Sequence, residues 1–398
     1  MNNTKLSILA KRIVTPLVEI QDGVVLIEGE KIVAIGSQQN FKIPDEYQKI
    51  NLDDKIVAPG FIDLHNHGGM GKMVDEGGAE TVRQNSTRLS ETGCTAWLPT
   101  VNSLFGVKEI VKVIKESTAG AEIAGIHMEG PFLTPKGIIG IQGIDSGLEK
   151  PSVNRLHEFI EAAEGHLKIM GLSVEQEGAD AVIGELRRLG VLPAIAHSTH
   201  ASYEQFLRSV ELGIRHVTHT YNVMTPLHQR LPGVLGGALT CEQVTNEIIS
   251  DGFHVSPVAI DILVRCKGTD KICVITDNTS VAGLPDGEYQ MHGSTLVKKN
   301  GVTRYANSTS SDDHTMAGSE WPINHNVWTL IDKVHLRLAD AVKMASMNPA
   351  RVIGLDHRIG SLEPGKDATL IAMDERINVV LTLVKGQVRY DPTGLVSK

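Results

Sequence analysis

Between residues 60 and 278, short apolar runs alternate with longer stretches whose apolar residues recur at helical spacing. This is the rhythm of repeated βα units. Eight runs can be counted: GFIDLHNH at 60–67, GCTAWLPTV at 93–101, IAGIHMEG at 123–130 and LKIMGLSVE at 167–175, then VLPAIAHS at 191–198, IRHVTHT at 214–220, TNEIISDG at 245–252 and KICVITDN at 271–278. Helices are legible between them. SYEQFLRSVELG opens with Ser202 and Gln205 in capping-box spacing and ends at Gly213. Eight parallel strands with intervening helices close into an α/β fold, a (β/α)8 TIM-like barrel, whose active site lies at the C-terminal ends of the strands. A doubly wound open sheet is the competing architecture, but no G-x-G-x-x-G opens a helix here.

The two ends of the chain follow a different pattern. GVVLIEGEKIVAIGS, near the start, is two alternating β runs joined by a turn through Gly29, Glu30 and Lys31. GSLEPGKDATLIAMDERINVVLTLVKGQVRY, near the end, has strands punctuated by Pro-Gly and Lys-Gly. Neither end carries enough apolar surface for a core of its own. Residues 1–57 and 361–398 are therefore expected to pack together as one small β-sandwich, with residues 58–360 forming the barrel.

Composition narrows the class. The chain has 398 residues, 41% hydrophobic and 21% charged, with a formal net charge of −9. These are ordinary values for a globular protein, and no basic run is long enough to hold nucleic acid. No stretch approaches the ~20 apolar residues of a membrane span, and MNNTKLSILAKRIVTP lacks the apolar core of a signal peptide. Cys94, Cys241, Cys266 and Cys273 are widely spaced, without a C-x-x-C, and read as reduced thiols of a cytoplasmic protein.

The polar residues that end the runs carry the chemistry. The first run ends in His65 and His67, the third in Glu129, the fifth in His197, the sixth in His219 and the eighth in Asp277. Residues i and i+2 of a strand share a face, so both imidazoles of His65 and His67 can grip one ion. The six residues are nitrogen and oxygen donors that suit zinc or iron, and a barrel places them all on one rim. His216 and His219 lie three apart, so in a strand only one faces inward; His219, nearer the end, is the expected ligand. His127 shares a face with Glu129 and is expected beneath it as a supporting residue. No lysine stands at a strand end to serve as a carbamylated bridge, which leaves Glu129 as the bridging anion. Two carboxylates and a hydroxide do not neutralise two divalent ions, and the remaining positive charge would polarise a carbonyl.

At this point the residues carry a resemblance. PGFIDLHNHG, GIHMEGPFLTPK, AHSTHASYEQ, HVTHTYNVMTPLHQRLPGVLG, IISDGFHV, ITDNTSVAGLPDGEY, TMAGS, NPARVIGL and GSLEPGKDATLI span nearly the whole chain. The sequence resembles the amidohydrolase superfamily and, within it, the N-acetylglucosamine-6-phosphate deacetylases. The resemblance implies a principal metal site at Glu129, His197 and His219, and a second at His65 and His67. It implies Asp277 as general acid and base, and substrate contacts from Asn222, Val223, Arg230, His254 and the segment Met316, Ala317 and Gly318. Arg230 matches the arginine that reaches the sugar phosphate, and its region in relatives lies near a dimer interface, so a homodimer is expected.

The segment after EGPF departs from the family pattern. Relatives carry Gly-Ala-His or Gly-Ala-Gln there, whereas this chain has TPKGIIGIQ; aligning Gly140-Ile141-Gln142 gives Ile141 and Gln142 the substrate-facing role. THTYNVM and TSSDDHTMAGSEW also depart, so the sugar pocket is less determined than the metal ligands. The implied reaction is hydrolysis of the acetamide of an N-acetyl amino-sugar 6-phosphate, with one or two divalent ions per subunit. Its gluco and galacto epimers, and other amides, stay open. A non-catalytic binding relative is a further alternative, although such proteins typically lose strand-end ligands.

Overall fold

The chain builds one part of a sheet, leaves it to build a barrel, and returns to complete the sheet. The computed structural model describes residues 5–116, 119–135, 147–291, 293–306 and 316–396. Strands Lys5–Val14, Glu19–Glu28, Lys31–Ser37 and Gln48–Pro59 join Leu370–Met373, Val379–Val384 and Gln387–Tyr390 in a single seven-stranded sheet. Gln48–Pro59 is the join, running parallel to Lys5–Val14 and pairing antiparallel with Leu370–Met373. Ile8, Ile27 and Ile50 from the first end pack with Leu370, Leu381 and Leu383 from the second. The two ends therefore share a core, as their thin individual apolar content requires; its strands are hydrogen-bonded as one continuous sheet. The hairpin from Glu19–Glu28 to Lys31–Ser37 turns on Gly29 (φ 58°) and Glu30, one residue tighter than the sequence suggests.

All eight apolar runs become parallel strands in chain order. They are β1 (Phe61–Asn66), β2 (Cys94–Val101), β3 (Ile126–Met128), β4 (Leu167–Leu172), β5 (Leu192–Ile195), β6 (His216–Val217), β7 (Thr245–Ile249) and β8 (Ile272–Ile275). Alternation sorts their side chains between two cores. Ile248, Ile272 and Val274 pack with the surrounding helices, whereas Ile249, Cys273 and Ile275 pack inside the barrel. Glu247 shares the inward face of β7 with Ile249. The capping box is present as read: Ser202 Oγ accepts from Gln205 N, Gln205 Oε1 accepts from Ser202 N, and Gly213 caps the other end.

The barrel closes differently at its last seam. Between β1 and β8 the ladder shrinks to a bridge at Asn66 and Asn278, with backbone hydrogen bonds from Asp277 N to His65 O and from His67 N to Asn278 O, both 2.8 Å. Asp63 completes the joint. Its fully buried carboxylate accepts from Thr276 Oγ1 at 2.6 Å, Thr276 N at 3.1 Å and Asn66 Nδ2 at 3.1 Å. Burial pushes its pKa up, and these hydrogen bonds oppose the rise.

One element was not anticipated. After β8 the next element is not a helix but a three-stranded antiparallel sheet, Gly287–Met291, Ser294–Lys299 and Val302–Tyr305, which precedes the helix Ile323–Asp332. Its signal is present in the sequence as Asn300-Gly301, both at positive φ (53° and 78°), the dipeptide of a tight hairpin. Asp277 therefore does not cap a following helix.

Asp63→Ala leaves several buried donors unpaired, each worth ~1–3 kcal/mol, and is expected to destabilise the fold by about 3 kcal/mol or more. Thermal denaturation checks this, and an unchanged melting temperature would mean that the seam is held by other contacts.

Candidate metal centre

Five strands deliver six donors to one point at their C-terminal ends. His65 ends β1 and His67 follows it; Glu129 follows β3; His197, His219 and Asp277 each stand two residues beyond β5, β6 and β8. These last three share a local conformation, with φ of 46°, 23° and 50°. Left-handed backbone at a non-glycine residue costs of order 1–3 kcal/mol and persists where surrounding structure over-determines it. A recurrent kink at three strand ends, each carrying a donor, is strain placed where function would use it. After His67 the chain turns away through Gly68 (φ 151°), Met70 (φ 55°) and Gly71 (φ 99°).

Glu129 is the hub. Its Oε1 lies 2.6 Å from His219 Nε2, 3.0 Å from His197 Nε2 and 3.6 Å from His65 Nε2, and its Oε2 lies 3.3 Å from His67 Nε2. The Nε2 atoms of His65 and His67 are only 3.2 Å apart. Asp277 Oδ1 closes the ring at 3.6 Å from His65 and 3.5 Å from His67. Burial alone would push the Glu129 carboxyl up, but His197 and His65 outweigh it and hold it well below the ordinary carboxylate range. Asp277, with 17% of its side chain exposed, faces the opening, whereas the His65 side chain is fully buried.

This donor set fits a divalent cation. Four imidazole nitrogens and two carboxylates converge through separations of 2.6 to 3.6 Å, and the Nε2 atoms of His65 and His67 face one another as well as the carboxylates. Two triads, His65–His67–Glu129 and Glu129–His197–His219, each have ligand atoms within 4.8 Å of one another and share Glu129. Nitrogen and oxygen donors of this kind suit a divalent metal.

A layer of support lies below. His127 Nδ1 donates to Leu64 O at 2.9 Å, its ring centroid lies 4.6 Å from that of His65, and burial drives its pKa down to about 3, so it is neutral. His216 does not face away from the interior, contrary to the alternation argument. Its Nε2 meets Glu247 Oε1 at 3.0 Å while His219 reaches Glu129. The strand ends at Val217, so the period of two no longer applies at His219. Glu247 was not picked out from the sequence; its signal was an acidic residue within the seventh run, directly before Ile248 and Ile249.

The expected substrate contacts fall into three groups. Asn222 and Val223 (φ 49°) are half-buried beside the cluster: the Asn222 carbonyl lies 3.2 Å from His219 Nδ1, and its Nδ2 is buried without a partner. His254 pairs through Nδ1 with Asp251 Oδ2 at 2.7 Å and buries an unpartnered Nε2. Burial works against its charge, but Asp251 outweighs it and raises the His254 pKa. Met316, Ala317 and Gly318 run beside Asp277: Ser319 N donates to Asp277 O at 3.0 Å. Gly318 has φ +64°, and a Cβ there would sit 2.2 Å from Thr279 Cγ2, so glycine is required. Arg230 stands apart on an exposed loop, its guanidinium without an ion pair among the described residues. Ile141 and Gln142 lie outside the described residues. A cleft of about 590 Å³ at the N-terminal ends of the strands, lined by Arg215, Lys271 and Arg351, contains none of these groups.

A parallel eight-stranded barrel with a histidine–carboxylate cluster at the C-terminal ends of its strands defines a metal-dependent hydrolase. Residues 56–389 match the model of the Amidohydrolase family, and the chain belongs to that family. It is 31% identical over 387 residues to the N-acetylglucosamine-6-phosphate deacetylase of Bacillus subtilis, covering 95% of both chains. It is also 31% identical over 347 residues to the N-acetylgalactosamine-6-phosphate deacetylase of Escherichia coli O157:H7, covering 84% of this chain and 88% of that one. Among solved structures, it resembles the N-acetyl-D-glucosamine-6-phosphate deacetylase of Mycobacterium smegmatis, in a variant bound to N-acetyl-D-glucosamine-6-phosphate. The TM-score is 0.87 at 26% identity, covering 97% of this chain and all of that one.

Glu129→Gln removes the shared anion, and the purified variant is expected to retain no divalent metal through dialysis where the wild type does. Elemental analysis of both measures this, and equal metal content would remove Glu129 from the centre.

Proposed function

We propose that this protein hydrolyses the acetamide of an N-acetyl amino-sugar 6-phosphate, N-acetylglucosamine 6-phosphate first, to acetate and the amino-sugar 6-phosphate. The observation that carries this is the juxtaposition of the Glu129-centred histidine cluster with Asp277 at its open edge. The names of the relatives support the substrate class. The galacto epimer is the second reading, because a relative named for that substrate is equally identical to this chain.

His65, His67, Glu129, His197, His219 and Asp277 would hold one or two divalent ions, zinc or iron. When bound, such an ion acts as a Lewis acid toward a carbonyl oxygen and makes water a stronger acid. Asp277, partly open and 3.5 Å from His67 Nε2, is placed to take the proton from the attacking water and return it to the departing amine. An amine leaves poorly unless protonated, so the second transfer matters as much as the first. The buried, unpartnered Asn222 Nδ2 and His254 Nε2 are assigned to the sugar and its acetamide. Arg230 is assigned to the phosphate, since its guanidinium presents a planar fork suited to it. Gln142 is assigned to the substrate with Ile141, and Met316–Gly318 to the wall beside Asp277.

The protein is placed in the cytoplasm, a reading its four free cysteines support. No helix among the described residues is long and apolar enough to cross a membrane. A homodimer is proposed because Leu227 and Leu231 stand 53% and 73% exposed on the loop that carries Arg230, where a second copy would cover them.

Asp277→Asn is expected to keep its metal and lose about 10²–10⁴-fold in kcat, the usual worth of a positioned proton carrier. Turnover close to wild type would remove Asp277 from the mechanism. Arg230→Ala is expected to raise KM at least about tenfold, or ~1.4 kcal/mol, for the 6-phosphate and to leave the unphosphorylated sugar unaffected. Equal effects on both substrates would detach Arg230 from the phosphate.

A further inference from the structure

Glu247 has no part in the chemistry above, yet it is a fully buried carboxylate inside the barrel. It sits in the middle of β7 with no exposed surface. A buried carboxylate costs several kcal/mol unless its oxygens are matched by donors. Here they are matched: Oε2 lies 2.8 Å from His65 Nδ1 and 3.3 Å from His219 N, and Oε1 lies 3.0 Å from His216 Nε2. His216 is held from its other side by Thr245 Oγ1, 2.7 Å from Nδ1, so the carboxylate's own anchor cannot rotate.

We propose that Glu247 is a positioning residue that fixes the tautomer and orientation of His65, and thereby controls filling of the His65–His67 half of the metal centre. The proposal rests on the metal-centre reading given above. A neutral imidazole has one N–H and one lone pair. With Nδ1–H donated to Glu247, the lone pair of His65 is on Nε2, the atom that faces His67, Glu129 and Asp277. A carboxylate behind a ligating histidine raises its basicity and pins its ring, and losing such a partner typically weakens metal binding about 10–100-fold. His219 Nδ1 has only the Asn222 carbonyl, and His67 Nδ1 is buried with no partner. Charge points the same way: Glu129 and Asp277 leave two divalent ions under-neutralised, and Glu247 is a third buried negative charge one ring away. Because its Oε2 also receives the His219 backbone N–H, one carboxylate ties the two halves of the centre together.

The test uses full-length protein loaded with zinc and dialysed against graded chelator, with bound zinc measured for wild type, Glu247→Gln, His65→Gln and the double variant. Glutamine keeps the shape of the side chain and removes its charge. Glu247→Gln is expected to release one zinc at about 10–100-fold lower chelator than wild type while the remaining zinc is held normally. The double variant is expected to match His65→Gln alone, because Glu247 acts through that ring. A merely structural role would lower retention equally in both backgrounds and overturn the proposal. So would unchanged retention in Glu247→Gln, whatever the wild-type stoichiometry. Should Glu247→Gln fail to fold, Glu247→Asp withdraws the charge by one methylene; weakened retention of one zinc supports the assignment and wild-type retention overturns it. Wild-type protein that holds no zinc or iron overturns the metal-centre reading itself, a result distinguishable from the others.

Discussion

A carboxylate held among four imidazoles at the mouth of a barrel is the interaction on which everything else in this protein depends. Glu129 touches histidines from three different strands, and its two oxygens are shared between two triads. Such a cluster is costly in apolar surroundings, since polar groups leave water and donors crowd one another. Two of its histidines, His197 and His219, and the neighbouring Asp277 also hold a left-handed backbone. The barrel can carry this load because the cost is concentrated at one rim. Below it, the strand interiors and helix faces are filled by aliphatic side chains that are almost entirely buried.

The seam and the site are one construction. β1 and β8 are the strands that the ladder joins least, and they also carry His65, His67 and Asp277. Asp63 and Thr276 hold the strands together two residues before the donors on one side and one residue before on the other. Closure of the barrel therefore sets the spacing of the donors. Glu247 makes a comparable link from β7, to His65 on β1 and to His219 beyond β6. Two buried carboxylates outside the donor set thus brace it.

The centre and the loops around it differ in how they are built. The donors sit on strand ends, where backbone hydrogen bonds and packing determine position closely. Asn222, Arg230, His254 and the 316–318 segment sit on loops, which vary more readily without disturbing the core. Membership of the amidohydrolase family at about 30% identity is consistent with that division.

Much of this protein was legible in its residues, and the reason is locality. A strand is written in consecutive positions, so eight apolar runs yielded eight strands, and polar residues at the ends of five of them marked the rim. Ser202 and Gln205 specify a helix start within four residues. The three-stranded sheet at 287–305 was equally local, with Asn300-Gly301 as one of its turns, and was passed over because the count of runs stopped at residue 278. Glu247, His216 and Asp63 were different. Glu247 lies 182 positions from His65 and 31 from His216, and Asp63 lies 213 from Thr276. Nothing within a strand says which side chain waits across the barrel. The sequence by itself determined the strands, the shared core of the chain ends and the candidate donors, all products of short-range pattern. Only the tertiary structure decided which buried carboxylate pairs with which imidazole, because that pairing exists only once the barrel has closed.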